Sequence, residues 1–289
     1  MKNFRYLEPT SVSEATQLLQ EHGWQAKAMA GGQSLILLLR EGLIRPDIVV
    51  SLLKVPEMGG IQQRRSRVEI GALTTHRQIE LSPLIKQQFL FVADAYRALG
   101  SVQVRNLGTL GGNLCHNAPG SDPPALLMVL DATLDIAGPR KKRTMGIEEL
   151  GTGFYENSLA EGELLTTINL PAIPSRTGCA YEKHAHRPTD IPFVGVAARV
   201  TLTRNRKTCK EARLALTGVA STTMRAHSAE SVLKGQDLNE RAIAEAAQVA
   251  AGETDPLSDA HASAEYRRKL VPIAVRRVVN LALERAREA

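Results

Sequence analysis

The sequence predicts an α+β fold built from two domains. Its 289 residues exceed the typical size of a single domain, and the order of structural patterns changes once along the chain. Helix-like and strand-like segments alternate as far as Pro171, whereas three successive strand patterns and then two helical patterns follow Pro174. We therefore place the boundary near 172–176, with domains at 1–175 and 176–289.

Several helices and strands of the first domain are indicated by local signals. Residues 11–14 (SVSE) fit a capping box and Gly23 fits a helix stop, so a helix is predicted at 12–22. A short strand at 27–30, a glycine turn and a helix at 34–41 follow. Further strands are predicted at 48–52 and 67–72, and further helices at 74–81 and 91–99.

The second domain reads as strands followed by helices. Alternating apolar residues predict strands at 177–186, 195–204 and 210–218. Amphipathic patterns predict helices at 239–251 and 265–287. The expected architecture is a small three-stranded antiparallel sheet with helices packed on it.

The charge pattern argues against nucleic-acid binding. The formal net charge is +6, but Lys and Arg are scattered among Asp and Glu. The one dense basic run, 140–143 (RKKR), follows Gly138-Pro139 and is predicted to be a solvated hairpin turn. Only 4% of the residues are aromatic, so the stacking platforms of nucleic-acid-binding proteins are missing. No nucleic-acid partner is expected.

The sequence shows neither a long apolar segment nor a cysteine pair. The longest apolar stretch, 35–39, is far shorter than the roughly 20 residues of a membrane-spanning helix. The first residues lack the apolar core of a signal peptide, which predicts a cytoplasmic protein. Cys115, Cys179 and Cys209 form no C-x-x-C pair, so any iron–sulfur or zinc centre is expected on another chain.

The first glycine-rich segment, 30–34 (AGGQS), has the layout of a phosphate-binding turn. Glycine reaches positive φ freely and lets an anion approach backbone N–H groups without a Cβ in the way. The helix predicted after it adds further free N–H groups. The segment matches neither G-x-G-x-x-G nor G-x-x-x-x-G-K-[ST], and a Gly-Gly pair before a helix is often only a turn.

The second glycine-rich segment, 105–113 (RNLGTLGGN), carries three glycines among several hydrogen-bonding side chains. Such density is costly in a plain loop, because each glycine loses chain entropy on ordering. The polar segment 121–124 (SDPP) follows shortly after it. Two phosphate-sized turns are compatible with a pyrophosphate that is held from two sides.

These segments together resemble the FAD-binding medium subunit of molybdenum hydroxylases, the family of carbon monoxide dehydrogenase and xanthine dehydrogenase. The resemblance rests on AGGQSL at 30–35, on QVRN at 103–106 with TLGGN at 109–113, and on SDPP at 121–124. Four other segments recur in that family in the same order: IGALTTH at 70–76, GELL at 162–165, YEK at 181–183 and SAEYR at 263–267. The similarity covers almost the whole chain.

The resemblance implies a two-part PCMH-type FAD-binding domain at 1–175 and a C-terminal domain of the carbon monoxide dehydrogenase flavoprotein type at 176–289. It implies FAD as the cofactor of this chain, with no catalytic residue and no metal ligand. The implied FAD contacts are Ala30, Gly31, Gly32, Gln33, Ser34, Leu35, Leu99, Gly100, Gly108, Thr109, Leu110, Gly111, Gly112, Asn113, Asp122, Leu165, Lys183 and Ile191.

The resemblance also implies roles within this set. Both glycine segments are expected to contact the pyrophosphate, and residues 99–100 to lie near the flavin end. Asp122 is expected to accept a hydrogen bond from a sugar hydroxyl. Leu165 and Lys183 are expected beside the isoalloxazine, where an ammonium can stabilise negative charge on the reduced ring. Some members carry a tyrosine where this chain has Ile191, so access to the ring is expected to differ.

An oxidoreductase subunit specialised for electron transfer follows from the same resemblance. A small subunit with [2Fe-2S] clusters would deliver the electrons, a large subunit with a molybdenum–pterin cofactor would hydroxylate the substrate, and an external acceptor would take the electrons up. A dimer of heterotrimers is expected. The substrate (carbon monoxide, an aldehyde or an N-heteroaromatic ring), the acceptor and nicotinamide binding stay open.

Other interpretations of the same residues remain. A free-standing FAD oxidase of the vanillyl-alcohol oxidase type would need an acid–base pair that the sequence does not reveal, and in a non-catalytic scaffold the glycine turns would be structural. His184 and His186 share one face of a predicted strand but lack a third ligand, so exposed strand histidines are expected. His116 is either near the cofactor or a plain loop histidine, and Cys115 is expected to be a small buried residue.

Overall fold

A parallel sheet of three short strands opens the fold in the computed structural model, which describes residues 3–289 and leaves Met1 and Lys2 outside it. The strands β1 (Arg5–Leu7), β2 (Ala26–Met29) and β3 (Ile48–Ser51) lie in the order β1-β3-β2, connected by the helices α1 (Val12–His22) and α2 (Leu35–Arg40). The central strand β3 is buried along its whole length. This layer carries the loop at 30–34 at the end of β2.

The helix α1 has the bounds that its sequence predicts, because both ends are capped. The Ser11 hydroxyl accepts a hydrogen bond from the N–H of Glu14 at 3.2 Å. Gly23 has a φ of 51° and donates its N–H to the carbonyl of Leu19. The Glu14 carboxylate completes the cap by accepting from the N–H of Thr10 rather than from that of Ser11.

An antiparallel sheet of five strands forms the middle layer. Its strands are β4 (Ile61–Arg64), β5 (Arg67–Gly71), β6 (Thr133–Ala137), β7 (Lys142–Gly146) and, after the small hairpin of β8 (Gly151–Gly153) and β9 (Glu156–Asn157), β10 (Leu164–Pro171). They lie in the order β4-β5-β10-β6-β7, so the last strand in sequence is the central one. The turn predicted at 140–143 is confirmed between β6 and β7, although Lys142 and Arg143 already belong to β7.

Six short helices lie between β5 and β6 in sequence. They are α3 (His76–Leu81), α4 (Pro83–Gln88), α5 (Leu90–Arg97), α6 (Val102–Leu107), α7 (Leu110–His116) and α8 (Asp122–Val129). The predicted helix at 74–81 begins only at His76, because the Thr75 hydroxyl and the Gln78 side chain form a capping box. The pattern gave no signal for α8, since all eight of its residues are buried and no amphipathic period exists.

A second antiparallel sheet and three helices form the rest of the chain. The strands β11 (Thr177–His184), β12 (Val194–Leu202) and β13 (Cys209–Thr217) confirm the three predicted strands, and the two-residue strand β14 (Met224–Arg225) extends the sheet beyond the prediction. The helices α10 (Glu240–Gly252) and α11 (Ala264–Glu288) confirm the two predicted helices, and α9 (His227–Leu233) precedes them. The short α9 lacks a repeating apolar pattern long enough to predict.

Alternate residues of β12 face two separate cores. Val196, Ala198 and Val200 pack in a core with α10 and α11, whereas Ala197 packs in the core that contains α8. Every residue of β12 is therefore buried. The sheet thus packs on α8. This packing fixes the position of α8, and with it the position of Asp122 at its start.

An ion-pair network reinforces this packing at the other end of α8. The carboxylate of Asp131 accepts hydrogen bonds from Arg199 at 2.6 Å and from Arg213 at 2.9 Å. Arg199 lies on β12, is buried and also donates to Glu211 at 3.3 Å, so its charge has two carboxylate partners. Among residues 3–289 no helix is both long enough and apolar enough to cross a membrane.

Gly178 on β11 tests how closely the second sheet approaches α11. A Cβ at this position would collide with the backbone of Ala282 and Ala286 and would lie 2.8 Å from the Cβ of Arg285. We expect Gly178→Val to lower the free energy of unfolding by about 2 kcal/mol, because the strand and helix must separate. Urea denaturation of the full chain measures this change.

The matched control is Gly252→Ala at the end of α10, where an added Cβ meets no atom within 4 Å. This variant should leave the urea midpoint unchanged or raise it slightly, since alanine favours a helix more than glycine does. Equal midpoints for Gly178→Val and the wild type would contradict the described packing.

Candidate functional site

The structure brings the two glycine-rich segments into contact. A Cβ on Gly31 would lie 2.6 Å from the carbonyl carbon of Leu107 and 3.0 Å from the Cα of Gly108. A Cβ on Gly112 would lie 3.5 Å from the Cβ of Ala30. Backbone therefore packs directly on backbone, and the loop at 30–34 rests against the segment that joins α6 to α7.

The loop at 30–34 presents uncommitted backbone donors. The N–H groups of Gly31, Gly32, Gln33 and Ser34 donate to no acceptor within residues 3–289. Gly32 has a φ of 70°, a conformation that glycine adopts without strain. Successive free N–H groups in such a turn form a concave site for an anion, which fits one phosphate of a dinucleotide. Leu35 follows as the first residue of α2.

The second glycine segment differs from its prediction, because residues 110–113 form the first turn of α7 and not a loop turn. Thr109 is the N-cap of this helix. Its backbone donors are already used within the protein: Leu110 donates to Thr74 at 3.0 Å, Gly111 to Ala72 at 2.8 Å, Gly112 to the Thr109 hydroxyl at 3.2 Å and Asn113 to Thr109 at 3.0 Å. What this segment offers a ligand is the exposed backbone of Gly112 and the half-buried side chain of Asn113, whereas Thr109 is only 3% exposed.

The glycines of the second segment allow close packing. A Cβ on Gly111 would lie 2.5 Å from the Cβ of Ala72, and a Cβ on Gly108 would lie 3.0 Å from the His76 ring. Leu110, between them, is fully buried. Close approach of α7 to the end of β5 therefore explains the glycine at 111, and the nearby Val104 carbonyl and His76 ring explain the glycine at 108.

Hydrogen bonds connect α7 to the start of α8. The Ser121 hydroxyl donates to Asn113 Oδ1 at 2.7 Å. The Thr217 hydroxyl, at the end of β13, lies 2.9 Å from the Ser121 carbonyl and 2.7 Å from the Pro119 carbonyl. The two predicted contacts Asn113 and Asp122 are thereby held on one continuous wall.

Asp122 and Lys183 form a buried ion pair. Lys183 Nζ lies 3.1 Å from Asp122 Oδ2, and the Tyr181 hydroxyl donates to Asp122 Oδ1. Burial raises the pKa of the Asp122 carboxyl, whereas the Lys183 ammonium and the Tyr181 hydroxyl oppose this rise. Lys183 also donates to the carbonyls of Ala98 at 2.7 Å and Asp190 at 3.1 Å. All three ammonium hydrogens can thus be satisfied within the protein.

A cleft of about 200 Å³ borders this cluster, lined by Phe91, Asp94, Ala95, Ala98, Tyr181, Lys183 and Arg285. The predicted contacts Leu99 and Leu165 are buried within the core that contains α8, and Gly100 has a φ of 55°. Ile191 is 68% exposed and contacts the position of Gly120, where a Cβ would collide with its side chain. The structure therefore places Ile191 over the α7–α8 connection.

Residues 3–289 contain no group of three His, Cys, Asp or Glu side chains that could hold a metal ion. The ring of His186 packs edge-on against Phe193 at 4.6 Å, and the ring of His116 packs against Tyr155 at 5.0 Å. Burial raises the pKa of the Cys115 thiol to about 12, so this thiol stays protonated at neutral pH. These side chains have packing contacts in the protein.

The sequence prediction omitted three buried polar side chains around this site: His76, Glu80 and Arg105. Arg105 donates to Glu80 at 2.9 Å and to the carbonyls of Leu99 and Gly100 at 3.1 and 2.7 Å. The N–H of His76 donates to the carbonyl of Gly108 at 2.9 Å. The motifs TTH and QVRN contain His76 and Arg105, but no local pattern in the sequence predicts that the three side chains lie close together.

Comparison with known proteins adds an independent observation. The family model described as "FAD binding domain in molybdopterin dehydrogenase" matches residues 2–173, and that described as "CO dehydrogenase flavoprotein C-terminal domain" matches residues 179–282. The chain is 34% identical to the carbon monoxide dehydrogenase medium chain of Hydrogenophaga pseudoflava, over 98% of both chains. It is also 34% identical to subunit alpha of the 6-hydroxypseudooxynicotine dehydrogenase complex of Paenarthrobacter nicotinovorans, over 99% of this chain and 96% of the relative.

Solved structures give the same similarity in three dimensions. A carbon monoxide dehydrogenase from Hydrogenophaga pseudoflava, which lacks the Mo-pyranopterin moiety, superposes with a TM-score of 0.95 at 34% identity, covering 98% of each chain. Quinoline 2-oxidoreductase from Pseudomonas putida 86 superposes with a TM-score of 0.92 at 31% identity, covering 99% of this chain and 100% of the other.

The buried His76 makes stability depend on pH. Burial first, and then the nearby Arg105 charge, lower the pKa of His76 from 6.5 to about 4. The unfolded chain therefore binds a proton below pH 6.5 that the folded chain rejects, so the free energy of unfolding should fall as the pH drops from 6.5 to 4. The full effect is about 3 kcal/mol.

In His76→Gln this contribution to the pH dependence should vanish, which urea titrations at several pH values measure. The exposed His261 provides the control, since His261→Gln should retain the wild-type slope. Identical slopes in all three proteins would show that His76 titrates normally.

Proposed function

Since the chain belongs to the family of FAD-binding medium subunits of molybdenum hydroxylases, we propose that it is the electron-transfer subunit of such a complex. In this proposal it holds FAD, receives electrons from the [2Fe-2S] clusters of a small subunit and passes them to an external acceptor. FAD supplies the redox chemistry when bound. The residues of this chain bind and orient it.

The observation that carries the proposal is the set of free donors at 30–34. Four successive backbone N–H groups that have no acceptor within residues 3–289 suit the oxygens of a pyrophosphate. Ala30 and the exposed Gly112 lie side by side, so the second segment forms the opposite wall. The Asn113 amide can donate to the same ligand.

Asp122 and Lys183 mark the proposed flavin end. Asn113 and Ser121 connect this pair to the phosphate end through a hydrogen bond of 2.7 Å. Lys183 is fixed by Asp122 and by the Ala98 carbonyl, so its positive charge has a defined position. A fixed ammonium beside the ring would stabilise negative charge there and raise the flavin potential.

We assign substrate chemistry to another subunit. The relatives are named for carbon monoxide, 6-hydroxypseudooxynicotine and quinoline, although this chain is similar to each over nearly its whole length. Such variety is consistent with a large subunit that carries the molybdenum–pterin cofactor and selects carbon monoxide, an aldehyde or an N-heteroaromatic ring.

We further propose domains at 1–175 and 176–289, a dimer of heterotrimers and a cytoplasmic location.

Flavin absorbance of the purified chain tests the cofactor. After addition of FAD and gel filtration, about one FAD per chain should be retained, and a chain without flavin absorbance would refute the proposal.

Purification from the native cell tests the partners. Two further chains with iron–sulfur and molybdenum should accompany this one, whereas a homo-oligomer that oxidises a substrate unaided would contradict the assignment.

Gly31→Ala tests the contact between the two glycine segments. Its Cβ would meet the Leu107 carbonyl, so the loop at 30–34 must move away from the end of α6. Because such displacements of about 1 Å can cost 100-fold, we expect the FAD dissociation constant to rise about 100-fold. Fluorescence titration of the chain with FAD measures this constant.

Gly59→Ala is the matched control, because its nearest contact would be the Pro56 carbonyl at an ordinary 3.7 Å. This variant should bind FAD like the wild type. The assignment of the loop fails if Gly31→Ala keeps wild-type affinity while its fold, monitored by circular dichroism, is intact.

A further inference from the structure

Two buried cations hold the turn at 98–100, which follows α5. The Ala98 carbonyl accepts a hydrogen bond from Lys183 Nζ at 2.7 Å. The next two carbonyls, of Leu99 and Gly100, accept from Arg105 Nη1 at 3.1 and 2.7 Å. Three consecutive backbone acceptors thus point at positive charge, which fixes the path of the turn.

Arg105 is itself held by an ion pair. Its Nε lies 2.9 Å from Glu80 Oε2, and both side chains are buried, with 6% and 7% exposure. Burial raises the pKa of Glu80, but hydrogen bonds from Arg77 and Arg105 outweigh it, so the pKa lies below its ordinary value. A buried ion pair is seldom more stabilising than an apolar pair of the same size. A geometric role therefore accounts for it better than stability.

Arg105 also lies near the loop at 30–34, the proposed phosphate end of the site. It is on α6, whose last residue, Leu107, contributes the carbonyl that packs on Gly31. Glu80 is on α3, whose first residue, His76, donates to the carbonyl of Gly108. The helix pair α3–α6 thus connects the loop at 30–34 rigidly to the turn at 98–100.

We infer that Arg105 is a positioning residue for the cofactor: its guanidinium holds the turn at 98–100, and with it the ammonium of Lys183, at a fixed place relative to the loop at 30–34. Arg105 is buried and donates to Glu80 and to two carbonyls of this turn, so it acts through the turn and Lys183. This inference rests on the proposed binding of FAD and adds a residue to which that proposal gives no role.

The test replaces Arg105 by lysine, which keeps the charge but has no planar guanidinium that reaches Glu80 from Nε and the two carbonyls from Nη1. Two quantities are measured on the full chain: the FAD dissociation constant and the midpoint potential of the bound flavin. For Arg105→Lys we expect the dissociation constant to rise about tenfold, as loss of one charge-assisted hydrogen bond predicts, and the potential to become more negative. Lys183→Met should shift the potential in the same direction and further.

Arg77→Met is the matched control. Arg77 also donates to Glu80, at 2.7 Å, but no hydrogen bond connects it to the turn at 98–100 among residues 3–289. This variant should leave both quantities at their wild-type values. In a Lys183→Met background, Arg105→Lys should produce no further shift in potential, since the affected ammonium is gone.

A purely structural Arg105 would lower the thermal unfolding temperature of Arg105→Lys without changing the potential of its bound flavin, and that result overturns the inference. If this variant does not fold, Gly100→Ala disturbs the same turn directly, because Gly100 has a φ of 55°. An unchanged potential in Gly100→Ala likewise overturns it. A wild-type chain that binds no FAD refutes the proposed function instead, so the two failures are distinguishable.

Discussion

The close approach of Gly31 to the Leu107 carbonyl determines how the site is built. The 30–34 loop belongs to the layer of the parallel sheet, whereas α6 and α7 belong to the helices after β5. Any side chain at position 31 would separate this loop from these helices. With glycine there, the loop, whose N–H groups at 31–34 have no acceptor among residues 3–289, lies beside Gly112. The parallel sheet and the helices after β5 thus meet at a backbone contact, and the proposed anion site depends on that contact.

The sequence predicts those parts of the fold that depend on neighbouring residues. Ser11 and Gly23 cap α1 from its own ends, so its bounds are confirmed. At 110–113 the glycines favour a turn, but contact with the distant Ala72 stabilises a helix, and the local prediction is wrong. The same limit applies to the site. The glycine loop is visible in the sequence, whereas the pair of Glu80 and Arg105, 25 residues apart on two helices, follows from tertiary packing alone.

Charge is distributed unevenly along the site. The proposed phosphate end consists of neutral backbone dipoles, and the proposed flavin end holds the ammonium of Lys183 against the carboxylate of Asp122. Backbone dipoles bind an anion without changing protonation, so affinity there should be insensitive to pH. A buried ammonium supplies the stronger and more local field, which suits a group whose charge changes during electron transfer. We therefore assign binding of the cofactor to backbone dipoles and tuning of its potential to a charged side chain.

The burial of α8 on all sides has a consequence for how the chain folds. Its eight residues pack in a core that also receives Ala197 from β12 and Ala215 from β13, and Asp131 beyond it pairs with Arg199. A fragment ending near residue 175 would expose this apolar helix and leave Asp131 without that arginine. The first half therefore lacks part of its core until β12 and β13 have been synthesised, and α8 reaches its native surroundings only then.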